Sequence, residues 1–360
     1  MDFPGLRPHT GDVTHPPGPF GKRVTLDDVA ARAGVSRAMA SIVMRGAAGA
    51  SETTRARVLA VAKDLGYRPD IRARALASTQ SRLIGVLFGA GRRYHFELLE
   101  GLYAHAEAHG YTLVLSALTG DRTERHAIEA LKDFHLDALI MLGPATDRPL
   151  MAGEVPVVVV GWHASDPAVD SVRHSDDLGM SLAVEHLVGL GHRDIWHLDG
   201  GDQLVADARR AGYERAMAQH GLSGHARVIA GGEDQLDGQL AANRILQHTH
   251  LPTALVAYND DTAAAAMSVF AQQGVQVPEE ISVIGWDDSA LAATPAFELT
   301  SIGQRPSELA ERAVSRIVSR LDGKDVASNS DDVLDTHLTV RTSTATPRRL
   351  DTRAVSFHTG

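Results

Sequence analysis

Apolar residues recur at helical spacing near the start of the chain. Leu26, Val29, Ala30 and Ala33 stand at i, i+3, i+4 and i+7, the stripe of a short amphipathic helix. Thr25 precedes them as an N-cap, and Asp28 follows at capping-box spacing. Gly34 permits a sharp reversal, and Ser36 can cap a second helix running to about Met44. Periodicity turns Ala40, Val43 and Met44 of that helix to a core, and leaves Arg37, Ala38, Ser41, Ile42 and Arg45 on the other side. A third helix, from Ser51 to about Leu65, buries Val58, Leu59, Ala62 and Leu65; Gly66 ends it and Pro69 follows. Two helices joined by such a turn form a helix-turn-helix, whose second helix is the usual reader of a DNA major groove.

From Leu83 the period changes. Near-continuous apolar runs at Leu83–Phe88, Tyr111–Leu115, Ala138–Leu142, Val157–Val160, Asp194–Leu198, Arg227–Ala230, Ala254–Tyr258 and Ile281–Gly285 read as strands. Amphipathic stretches such as Phe96–Ala108, Thr123–Phe134, Gly179–Gly189 and Ala208–His220 alternate with them. That alternation implies parallel sheets covered by helices on both faces, in two successive α/β halves.

Charge sharpens the division. The 360 residues carry a formal net charge of -10, but residues 1–80 hold twelve Lys and Arg against seven Asp and Glu, and the remainder 23 against 38. A cationic module joined to an acidic one fits a nucleic-acid binder with a second domain. The absence of Cys removes disulfides and thiolate metal sites and suits a reducing compartment. Residues 1–20 lack the apolar core of a signal peptide, and no apolar run reaches membrane-spanning length, so a cytoplasmic protein without a membrane partner is expected.

The stretch Val24-Thr25-Leu26-Asp27-Asp28-Val29-Ala30, continuing through Ala33-Gly34-Val35-Ser36 and Leu65-Gly66-Tyr67-Arg68-Pro69, resembles the DNA-binding headpiece of the lactose/galactose-repressor family of bacterial transcription regulators. The likeness then covers nearly all the chain to Thr342. It implies a multidomain protein: an all-α helix-turn-helix headpiece and a bilobed α/β sensor like the periplasmic sugar-binding proteins. The expected divisions are a disordered extension over 1–21, the headpiece over 22–69, and a hinge helix and linker over 70–81. The effector-binding and dimerisation domain spans 82–342, and a flexible tail 343–360. The implied partners are double-stranded operator DNA bearing an inverted repeat, a small sugar-like effector, and a second copy of the chain. No leucine-rich heptad follows the sensor, so a dimer is expected rather than a tetramer tethered by a C-terminal coil.

The DNA-facing set is Thr25, Ser36, Arg37, Ala38, Ser41, Ile42, Arg45, Arg72 and Leu76. By the resemblance Arg37, Ala38 and Ile42 occupy the base-reading positions. Arg37 can donate two hydrogen bonds to guanine, whereas Ala38 can only touch a thymine methyl. Most members carry Arg where this chain has Ile42, so about 1–3 kcal/mol of discrimination per half-site is absent or moved elsewhere. Either the operator departs from the usual central-CG palindrome, or the headpiece binds weakly; Asp70, where Asn is common, leans to the second. Leu76 aligns with the apolar wedge of a minor-groove hinge helix, and Arg72 would offset phosphate charge beside it. The bland alternative makes 70–77 a plain linker.

The effector set is Tyr94, His95, Trp162, Arg209, Asn259, Trp286 and Asp287. Arg209, three residues before Gly212, matches the family arginine that binds effector hydroxyls. Tyr258-Asn259-Asp260 matches a segment whose Asn faces the cleft, and Gly285-Trp286-Asp287-Asp288 a turn whose first Asp accepts from the ligand. A carboxylate with a guanidinium suits a polyol, which offers donors and acceptors together. Trp162 or Trp286 can stack on a ring. Each has a plainer reading: Arg209 as surface, Asn259 as a shaper of the strand end, Trp286 as packing. The loop Gly89-Ala90-Gly91-Arg92-Arg93-Tyr94-His95-Phe96 lacks the family's Pro and Phe pair. Its two Arg residues favour an anionic effector or are solvated charge at the lip. A purine-responsive regulator is the rival reading, with Tyr94 and a Trp around the base. No phosphate-binding loop or dinucleotide fingerprint is present and the His residues are scattered, so neither enzyme nor cofactor is expected.

Overall fold

A computed structural model describes residues 24–44, 47–67, 80–143, 151–324 and 330–348. Arg45, Arg72, Leu76, the 1–21 extension and nearly all of the proposed hinge segment lie outside the described residues. The chain divides into two compact units, residues 1–79 and 80–360.

The first unit contains α1 (Leu26–Ala33), α2 (Arg37–Met44) and α3 (Glu52–Asp64). Thr25 closes a capping box with Asp28: its hydroxyl accepts from the Asp28 amide, and the Asp28 carboxylate accepts from the Thr25 amide at 2.8 Å. Gly34 ends α1 in the left-handed conformation, at φ 64°, where a side chain would be strained. Ser36 accepts from the Met39 amide at 3.1 Å and so starts α2. Val29, Ala30, Ala33, Ala40, Val43, Val58 and Ala62 are all buried in one small core, with Met44 and Leu65 packed on it.

The second unit holds two six-stranded sheets. The first has the order β11-β5-β4-β3-β1-β2, from β1 (Leu83–Gly89), β2 (Thr112–Leu118), β3 (Ala138–Leu142), β4 (Val157–Val160), β5 (Val169–His174) and β11 (Asp331–Leu334). The second has the order β12-β10-β9-β8-β6-β7, from β6 (Ile195–Leu198), β7 (Arg227–Ile229), β8 (Ala254–Ala257), β9 (Ser282–Asp287), β10 (Thr300–Gly303) and β12 (His337–Thr339). All pairings are parallel except β10 with β12. The first lobe is covered by α4 (Arg93–Ala108), α5 (Glu124–Lys132) and α10 (Pro306–Leu321). The second is covered by α6 (Asp176–Leu190), α7 (Leu204–Gln219), α8 (Gln235–Leu246) and α9 (Asp260–Gln272).

The chain crosses between the sheets three times: after β5 into α6, after β10 into α10, and between β11 and β12. One imidazole touches all three crossings. Both ring nitrogens of His174, at the end of β5, face carbonyl oxygens, those of Leu334 and Gln304.

Four strands escape the apolar-run criterion. β5 reads Val-Asp-Ser-Val-Arg-His, yet Asp170 and Ser171 are buried, because Arg320 and the Ser330 amide meet the Asp170 carboxylate at 2.9 Å each. β10 buries Thr300 and Ser301 in a similar manner, and β11 and β12 are short edge strands. The expected flexible tail also needs correction at its start. Ser343 is buried, donating to the Val283 carbonyl at 2.6 Å and accepting from the Thr300 amide at 2.8 Å. The Ala345 carbonyl meets His192 at 2.8 Å, so the chain past Thr342 is stitched to the second sheet. These polar bonds leave no apolar period for a sequence reading to find.

Candidate functional site

Parallel sheets present ligand residues at the carboxyl ends of their strands, where helix N-termini also converge. Arg209 lies on α7, Asn259 between β8 and α9, Asp287 at the end of β9, and Tyr94 and His95 in the first turn of α4. These five, with Arg92, Glu233, Tyr258 and Gln304, line one inner chamber of about 70 Å³ between the lobes.

Arg209 is its most constrained member. Its Nε donates to Asp176 at 3.1 Å and its Nη1 to the Tyr258 carbonyl at 2.5 Å. The guanidinium lies 4.2 Å from the centre of the Trp286 ring and 4.7 Å from that of Tyr258. Only 5% of the residue is exposed, so the surface reading is set aside. Stacking and charge-assisted bonds hold the fork in one orientation.

Asp287 accepts from Gln304 Nε2 at 2.5 Å and has φ 114°, outside the range non-glycine residues usually occupy. Burial pushes its carboxyl well above the usual carboxylate range, with Arg209 opposing. Asp288 has other duties: Arg341 donates to it at 2.6 Å and Thr339 at 2.7 Å. Asn259 does shape the strand end, since it caps α9 through the Thr262 amide at 2.8 Å, and its Nδ2 donates to the Glu233 carbonyl at 2.8 Å. The Tyr94 hydroxyl is buried without a hydrogen-bond partner among the described residues. His95 braces the turn instead, its Nδ1 accepting from the Gly89 amide at 3.0 Å. Burial, reinforced by Arg92, lowers His95 to about 3, so it is neutral.

Trp162 and Trp286 stand outside the chamber lining. Trp162 packs among Val159, Val205 and Tyr258, and Trp286 is fully buried in the core of the second lobe, behind Arg209. The expectation that either stacks on a ligand ring is corrected: burying a large apolar ring was the stronger drive at both strand ends.

Arg92 is drawn into an ion pair, while Arg93 keeps half of its side chain in solvent. Arg92 pairs with Glu233 and reaches Gln203 at 3.5 Å, while Arg93 lies 3.5 Å from Asp261. All three partners belong to the opposite lobe. Glu233, Gln304 and Asp176 escaped the sequence reading; each is a lone polar residue beside a strand or helix end, without a motif around it.

In the first unit, Arg37 and Ala38 are exposed, Ser41 and Ile42 half-buried, and the Thr25 and Ser36 hydroxyls occupied in caps. Arg37 lies 3.5 Å from Asp27, both side chains largely in solvent, a pairing weak enough for a phosphate or base to replace. Among the described residues no group of His, Asp and Glu could hold a metal, and no helix is long and apolar enough to cross a membrane.

Comparison with known proteins matches residues 25–70 to the model of bacterial regulatory proteins of the lacI family, and residues 184–344 to a periplasmic binding protein-like domain. The HTH-type transcriptional repressor PurR of Photobacterium profundum is 30% identical over 83% of this chain and 92% of its own length. The ribose operon repressor of Escherichia coli is 33% identical over 82% of this chain and 93% of its own. The crystal structure of the lac repressor dimer, bound to operator and the anti-inducer ONPF, superposes with TM-score 0.78 at 29% identity, covering 90% of this chain and all of that one. With a helix-turn-helix headpiece, a two-sheet sensor and relatives matched over nearly their whole length, the chain belongs to the lacI family of bacterial DNA-binding transcription regulators.

Proposed function

We propose that the protein is a repressor that binds an inverted-repeat operator as a homodimer in the cytoplasm, and that a neutral sugar entering the inner chamber relieves repression. Arg37, Ala38, Ser41 and Ile42 form the described part of the DNA face, with Thr25 and Ser36 at its caps; Arg45, Arg72 and Leu76 complete it. Arg209, Asp287, Asn259 and Tyr94 read the effector, and His95 holds the loop that carries Tyr94.

The observation that carries the sugar reading is the balance of charge around the chamber. Arg92 is matched by Glu233, Arg93 by Asp261, and Arg209 by Asp176. An anion would have to break one of these pairs, whereas a neutral polyol exchanges hydrogen bonds without adding charge. The free Tyr94 hydroxyl supplies a further donor and acceptor. A purine finds less: with both Trp rings in the core, the rings that line the chamber among the described residues are Tyr94, His95 and Tyr258, and Arg209 already lies over Tyr258. Relief of repression requires the sugar to favour the weakly binding state, since equal affinity for both states shifts nothing.

Fluorescence anisotropy of labelled operator DNA, titrated with protein in the presence of neutral sugars or of hypoxanthine and guanine, tests this reading. A sugar that weakens operator binding, with the purines inert, is the expected result. Strengthening by a purine, with all sugars inert, would replace it with the co-repressor reading.

A further inference from the structure

The groups that read polarity and the space that holds a ligand are in different places. The inner chamber, with Asp287, Arg209, Asn259 and Tyr94, has about 70 Å³, room for a few waters. Beside it the cleft widens to an outer chamber of about 950 Å³. Ligand sites commonly enclose roughly 300–1,000 Å³, so most of an effector's bulk belongs outside. Arg92 and Glu233 line both chambers, and their ion pair across the lobes is the partition.

The lining of the outer chamber tells what it takes. Gly89, Gly91, Gly120, Gly143, Gly200 and Gly232 expose backbone along its walls. Between them stand carboxylates, Asp202, Asp207 and Asp234. Gln203 lies at the rim and reaches Arg92. Among the described residues no Phe, Tyr or Trp ring is part of this lining. Peptide groups and carboxylates on a wide, open wall accept hydrogen bonds from hydroxyls, and repel an anionic appendage.

We propose that the effector is a disaccharide or glycoside rather than a single sugar. Hydroxyls of one ring reach into the inner chamber toward Asp287 and Arg209, its second unit lies along the glycine wall, and the glycosidic link passes Arg92, which sets specificity for length. This rests on the sugar reading above and adds the size class of the ligand.

Isothermal titration of the full-length protein with matched probes tests it: glucose against cellobiose and maltose, galactose against lactose and melibiose, and each monosaccharide against its phenyl glycoside. In at least one set the two-unit ligand is expected to bind about tenfold tighter or better. Gly120→Phe fills only the outer chamber, at a position where a Cβ meets nothing within 4 Å. It is expected to remove that advantage while leaving monosaccharide affinity within about twofold. Leu204→Trp, at the opposite wall, provides the same block on a different element, and operator affinity reports that both variants fold. Equal binding of monosaccharide and glycoside, or an advantage untouched by both blocks, overturns the two-unit proposal and leaves the sugar reading standing. Binding of hypoxanthine or guanine with no saccharide bound at all removes the sugar reading and this proposal with it.

Discussion

Gln304 and Asp287 face each other over 2.5 Å, the amide of one donating to the carboxylate of the other. Asp287 ends β9 and lines the inner chamber; Gln304 stands at the crossing between β10 and α10, where its own carbonyl faces His174. A ligand hydroxyl that engages Asp287 therefore acts two bonds away from the place where the chain passes between lobes.

Replacing Gln304 by Leu removes a hydrogen bond from a buried acid and leaves its oxygen unsatisfied, at a cost of about 1–3 kcal/mol. Effector affinity is expected to fall at least about tenfold, with effector-free operator affinity unchanged. Titration calorimetry and operator anisotropy separate the two effects. Loss of operator binding together with effector binding would mean that Gln304 only holds the fold.

Arg209 is the sole described guanidinium in direct hydrogen-bonding contact with Asp176, which is itself nearly buried. Burial raises the Asp176 carboxyl, and Arg209 is the first group opposing that rise. Arg209→Met keeps the stem and deletes the charge, leaving Asp176 and Asp287 without it. A loss of roughly 3 kcal/mol in unfolding free energy, with effector binding abolished, is expected from denaturant titration. Arg209→Lys should rescue little of either, since an ammonium reproduces neither the fork nor the stacking. A lysine variant with near wild-type behaviour would show that charge alone suffices.

His197 gives the protein an acid-sensitive term. It is fully buried, its Nδ1 faces the Val256 carbonyl at 2.9 Å, and burial lowers it to about 4. The unfolded chain binds this proton more readily, so the contribution is complete above about pH 6.5 and is lost as pH falls toward 4. Raised carboxyls such as Asp260 work in the opposite direction. The informative quantity is therefore the difference between wild type and His197→Asn. From about pH 7.5 to about pH 5 the wild type should lose about 2 kcal/mol more than the variant. Parallel curves would assign the acid sensitivity to other groups.

In the headpiece, Thr25→Ala removes the capping hydroxyl and should cost about 1 kcal/mol, seen as an earlier thermal transition of that unit. No change in the transition would mean that Asp28 alone sustains the start of α1.

Much of this was legible because apolar periodicity and strand-end placement are local properties. The runs that became β1, β3, β4, β6 and β8 are each fully or almost fully buried. Arg209, Asn259 and Asp287 meet in one chamber because parallel strands deliver their ends to one rim. What stayed hidden depends on partners distant in the chain. Asp170 is buried in β5 only because Arg320 comes from α10, and Ser343 lies in the core only because Val283 and Thr300 receive it. Arg92 looked like surface charge because Glu233, its counterion, lies on the other lobe. The two Trp residues were misplaced for a related reason: strand-end position does not tell which side of the sheet a ring enters.

The central claim is specific operator recognition, and selection of genomic fragments by the purified full-length protein at about 0.15 M salt tests it most directly. An enriched inverted repeat is predicted, with a half-site that reflects Arg37 and shows what Ile42 reads in place of arginine. Recovery of fragments without a common sequence, declining steeply as salt rises, would leave only phosphate attraction and contradict the claim.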